Sequence, residues 1–88
     1  MYEHEFRENL EKDLQKLAKK DSKIIFIIEK KIKEIVENPQ HYKNMRAPLQ
    51  HLKRVHVNNC FVLVFSVDEV NKRIVFEELD HHDNIYIK

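Results

Sequence analysis

Residues 52–67 read Leu52-Lys53-Arg54-Val55-His56-Val57-Asn58-Asn59-Cys60-Phe61-Val62-Leu63-Val64-Phe65-Ser66-Val67, and the fold turns on them. The first six alternate as a strand with one wet face does. With Val55 and Val57 turned toward a core, Arg54 and His56 share the opposite side, because strand side chains alternate with a period of two. Asn58-Asn59 makes the turn, since asparagine tolerates the positive φ that a tight hairpin demands. Residues 60–67 are nearly all apolar, as in a central strand covered on both faces. Cys60 opens that run, where a lone thiol reads as a small core hydrophobe in a reducing compartment.

Working toward the N-terminus, residues 39–51 form a polar loop holding Lys43, Arg46 and Pro48. Asn38-Pro39 ends a helix before it, because proline disfavours helix in the preceding residue. That helix carries Ile25, Ile28, Ile32, Ile35 and Val36 as its apolar stripe. Asp21-Ser22 offers its N-cap. An earlier helix places Leu10, Leu14, Leu17 and Ala18 on one face, with Glu8 and Lys12 spaced for an ion pair. Two amphipathic helices with so short a link pack as an antiparallel hairpin. Residues 2–6 suit a short first strand. Toward the C-terminus, residues 68–72 form a turn and residues 73–79 a third meander strand.

The expected fold class is α+β: a short N-terminal strand, an antiparallel two-helix hairpin, then a three-stranded antiparallel meander, with both helices on one sheet face. The 88 residues make a single domain, residues 1–88. Apolar residues are 42% and charged residues 35%, a globular mixture. The net charge of +1 lacks the large positive excess of many nucleic-acid binders, so any RNA site would have to be a local cluster. The acidic start is no signal peptide and the longest apolar run cannot span a bilayer, which together predict a cytoplasmic protein without a membrane partner. Glycine is absent, so turns must use Asn, Asp or Pro.

Chemistry-bearing side chains gather in Asp80-His81-His82-Asp83-Asn84-Ile85-Tyr86. Two histidines between two aspartates suggest a metal site, but neighbours in an extended chain point to opposite sides, so no metal is expected. Three stretches resemble the RelE/ParE superfamily of toxins from type II toxin–antitoxin pairs. Asn38-Pro39-Gln40-His41 running on to Met45-Arg46-Ala47-Pro48-Leu49 is similar to that family's helix-ending Asn-Pro and following Leu-Arg-Gly-Pro-Leu. Residues 52–57 resemble its basic second strand. Residues 80–86 resemble its closing Gly-His-Arg-x-Asp-Ile-Tyr, in a form similar to archaeal members.

The resemblance implies a ribosome-dependent endoribonuclease that cuts messenger RNA without a cofactor and so inhibits translation. It implies a RelB-like antitoxin as cognate partner, ribosome and mRNA as targets, and operator DNA only through the antitoxin complex. Metal-free cleavage sets the 2′-hydroxyl against the adjoining phosphate and needs a base, cations and an acid. Position by position, the resemblance casts His56 as base, Arg54 as phosphate ligand, His82 as acid and Tyr86 as the C-terminal tyrosine. Arg46, Lys43 and Lys53 become RNA- or phosphate-binding residues. One departure stands out: the family's arginine early in the third strand falls on Phe61 or Val62 here. Two other readings follow, a catalytically weak homologue acting as an antitoxin-binding co-repressor and a ParE-type gyrase poison.

Overall fold

A computed structural model of the chain describes the backbone of residues 2–81 and the side chains of residues 2–80. The elements are β1 (Glu3–Phe6), α1 (Glu8–Lys20), α2 (Ser22–Glu37), a 3-10 turn at Pro39–His41, β2 (Lys53–Val57), β3 (Phe61–Asp68) and β4 (Arg73–His81). This is the expected order. In α1, acidic Glu8 and Glu11 fill the first turn and Lys19 and Lys20 the last, matching the helix dipole. Asp21 alone separates the helices. Its N–H donates to the Leu17 carbonyl at 2.8 Å, closing α1. Its carboxylate accepts from the Lys23 and Ile24 amides at 3.1 and 3.2 Å, opening α2. A side-chain cap of this kind contributes about 1 kcal/mol. The buried stripe of α2 starts one residue earlier than the sequence pattern suggests: Ile24, Ile28, Ile32, Ile35 and Val36 are buried, and Ile25 is only half-buried.

The four strands form one sheet in the order β1-β4-β3-β2, with β1 parallel to β4 and the other pairs antiparallel. Asn58 and Asn59 take φ of 54° and 60°, as the hairpin requires. The turn extends through Cys60, whose N–H donates to the Val57 carbonyl at 3.3 Å. Cys60 is therefore exposed and not a core hydrophobe. β3 is central, and Val62, Leu63, Val64 and Phe65 are buried in succession, so both its faces are covered. Both helices pack on one face, where Leu10 and the α2 isoleucines meet Val57, Leu63, Phe65, Ile74, Phe76 and Leu79. Phe6 stacks on Phe76 with ring centroids 5.2 Å apart.

A bulge breaks the β3–β4 register. Val64 pairs with Glu78 and Phe65 with Phe76, leaving Glu77 as the extra residue. The inserted residue shifts the alternation, so Ile74, Phe76 and Leu79 all reach the core although the last two are three apart.

Lys53 departs from expectation. It shares the core side with Val55 and Val57, at only 9% exposure. Its ammonium donates to the Tyr42 carbonyl at 2.9 Å and to Asn44 Oδ1 at 2.7 Å. The backbones of Asn44 and Lys53 also form an isolated bridge, and the Met45 N–H donates to the Leu52 carbonyl at 2.8 Å. Lys53 thus staples the polar loop to β2. Toward the same end of the sheet, Asp68 organises the β3–β4 turn, accepting from the Val70 and Asn71 amides and from Asn71 Nδ2.

Lys53→Met keeps the apolar stem and deletes both loop bonds. It should lower stability by about 1–3 kcal/mol, as for a buried group stripped of charged hydrogen bonds. Trypsin should then cut faster after Lys43 and Arg46 than in the wild type; an unchanged digestion rate would contradict the staple. The bonds from Asn71, then Val70, hold the Asp68 carboxyl below its ordinary value of 3.8. A depressed carboxyl contributes stability that is present above its ordinary value and lost as pH falls through the folded one. Asp68→Asn should flatten the fall in Tm with acid below about pH 4.

Candidate functional site

The sheet face away from the helices carries the candidate site. Arg54 and His56 both stand on it, exposed, as strand parity requires. Their cross-strand partners are Val64 and Val62, which in turn pair with Glu78 and Asp80 on β4. Two parallel rows result: Arg54–Val64–Glu78 and His56–Val62–Asp80. A basic edge strand and an acidic strand flank a buried valine floor. Strands lie about 4.8 Å apart, so the two outer rows are separated by roughly 10 Å. Arg54, His56, Glu78 and Asp80 each engage a neighbour.

Beside these rows lies a cleft of about 620 Å³ with Val64, Leu52 and Ser66 in its floor and Arg7, Asn9, His51, Glu77 and Glu78 around it. The bulge turns Glu77 into this cleft. Glu77 Oε1 accepts from Arg7 Nε at 2.8 Å, and its Oε2 accepts from Ser66 Oγ at 2.9 Å. The Glu77 carboxylate holds the Arg7 guanidinium firmly charged, first through that hydrogen bond and then through its field. Sequence reasoning missed Arg7, Ser66 and Glu77. The available signal was the three-residue step from Phe76 to Leu79, which an undisturbed strand would not show.

Of the expected site residues, the structure brings Arg54 and His56 together. It sets Lys53 on the opposite side, with its ammonium spent on the loop. Lys43 and Arg46 are exposed on that loop, which leads into β2. His82 and Tyr86 lie outside the described residues, as does all of the closing run after His81. Among the described residues no three His, Cys, Asp or Glu side chains are grouped to hold a metal ion, and no helix is long and apolar enough to cross a membrane.

The basic side of this face carries groups whose chemistry suits phosphate and proton transfer. Arg54 offers a planar fork of donors for a phosphate. His56, two residues on, offers an imidazole at the next position along the same edge, and imidazole is the side chain most often used to move protons near neutral pH.

Comparison with known proteins agrees with the fold. RelE4 of Methanocaldococcus jannaschii, a protein named as a candidate toxin, is 57% identical over 88 residues, covering 100% of this chain and 94% of the relative. The YoeB/ParE toxin of Agrobacterium tumefaciens superposes with a TM-score of 0.80 at 11% identity, over 91% of this chain and 98% of that one. A chain of the E. coli RelBE toxin–antitoxin complex gives a TM-score of 0.77 at 20% identity, over 92% of this chain and 96% of that one. At such identities these two structures speak for the fold alone. The family model described as the ParE toxin of type II toxin–antitoxin systems matches residues 5–86. The chain therefore belongs to the ParE toxin family of type II toxin–antitoxin systems, within the RelE/ParE superfamily.

Proposed function

We propose that this toxin is a ribosome-dependent, metal-independent mRNA endoribonuclease that inhibits translation. The observation that carries the reading is the pairing of Arg54 and His56 on the helix-free face of a RelE-like sheet. In the proposed reaction His56 takes the proton of the 2′-hydroxyl, whose oxygen forms a bond to the adjoining phosphorus. Arg54 offsets the charge that grows on the phosphoryl oxygens. The bond to the 5′-oxygen breaks, and His82, as imidazolium, protonates the departing oxygen. Tyr86 stacks on a neighbouring base. Arg46 and Lys43 steady the RNA backbone along the loop. The partner is a RelB-like antitoxin that covers this face, and operator DNA is reached only through that complex.

A second reading has its own support. No cation stands at Phe61 or Val62 on β3, and Glu77, Glu78 and Asp80 put carboxylates on the same face. These features favour a weak or inactive toxin that pairs with its antitoxin and modulates repression.

Induced expression should stop growth and leave cleavages in the ribosomal A site of mapped messages. His56→Ala and His82→Ala should each slow cleavage about 100-fold or more, the scale of general acid–base catalysis. Growth arrest with intact messages would overturn the nuclease reading. Harmless overexpression with tight antitoxin binding would select the second.

A further inference from the structure

We propose that Arg7 is a backbone-phosphate ligand for RNA, clamped for that purpose by the bulge residue Glu77. The inference rests on the RNA reading of this face and adds a contact to it. Arg7 follows β1 in sequence, and its N–H donates to the Phe76 carbonyl at 3.0 Å, which fixes its backbone against β4. Its side chain is 63% exposed. Glu77 grips it through Nε, and among the described residues its two Nη groups make no hydrogen bond. A guanidinium tied at one nitrogen and open at the other two presents parallel donors, the arrangement that suits a phosphate. Ser66 Oγ fixes the other oxygen of Glu77 at 2.9 Å, so the clamp is itself held.

The position fits a continuous path. Val64 lies in the floor of the Arg7 cleft and is also the cross-strand partner of Arg54. A strand of RNA with one phosphate on Arg54 would cross Val64 and arrive at Arg7. This places a cation on the face at the α1 side, where β3 supplies none. The negative charge of Glu77 is offset by Arg7 itself, and Glu78 is engaged with a neighbour of its own. The same bulge that brings both Phe76 and Leu79 to the core sets the extra residue, Glu77, beside Arg7 and Ser66. Bulges commonly re-aim a side chain beside a functional site.

The test is binding of a short 2′-O-methyl oligoribonucleotide, which lacks the attacking hydroxyl, measured by fluorescence anisotropy across a potassium chloride series. Arg7→Met should weaken binding about tenfold, the low end for a charge-assisted hydrogen bond. It should also reduce the slope of log affinity against log salt by about 0.7, the value for one phosphate contact on a single strand. Arg7→Lys should restore most of the slope. Lys30→Met removes the same charge from the exposed side of α2 and should leave the slope unchanged. If the wild type binds and Arg7→Met keeps its affinity and slope, the Arg7 proposal fails and the RNA reading stands. If Lys30→Met lowers the slope equally, the effect is general charge and the proposal also fails. A wild type that does not bind the oligonucleotide overturns both.

Discussion

The molecule depends on covering both faces of β3. Four consecutive buried residues, from Val62 to Phe65, leave no side of this strand for water. Leu63 and Phe65 are covered by the helical hairpin, joined by Phe76 and Ile74 of β4. Burying a large side chain of this kind contributes roughly 1.5–3 kcal/mol, and for so small a domain a few such residues decide whether it folds. Val62 and Val64 belong to the other face. They are as dry as the core, and the polar side chains of β2 and β4 stand around them. The candidate site is therefore built over hydrophobic ground. That low-polarity floor strengthens any charge interaction made above it.

The helices answer to the same constraint. A hairpin with a one-residue link has little freedom in crossing angle, and Asp21 fixes both ends of the link at once. Lys53 does comparable work on the other side of the core, tying the loop with Lys43 and Arg46 to the start of β2. Without glycine, the turns rely on Asn58, Asn59 and Lys72, all at positive φ. Lys72 gains support there from Glu69 and from the Tyr2 ring, 5.2 Å from its ammonium.

Periodicity made much of this legible in advance. The two helices, the Asn58-Asn59 turn, the central strand and the shared side of Arg54 and His56 all follow from spacing. What escaped has physical reasons. Ile24 displaces Ile25 because the Asp21 cap sets the helical phase, and a stripe of five residues fits two starts nearly as well. Cys60 is pulled into the turn by its backbone bond to Val57. Parity already placed Lys53 with Val55 and Val57, but its burial depends on acceptors from Tyr42 and Asn44, whose loop follows no local pattern. The Arg7–Glu77–Ser66 chain joins the link between β1 and α1 to two strands, β4 and β3, with Glu77 placed at a bulge.

The parallel pairing of β1 with β4 has a consequence for the birth of the protein. Glu3 pairs with Arg73 and Phe6 with Phe76, so the first strand waits for its partner until both helices and the two other strands have been synthesised. Arg7 acquires its Glu77 clamp only at that moment. Until β4 is made, β1 stays without its pairing strand and the working face is incomplete.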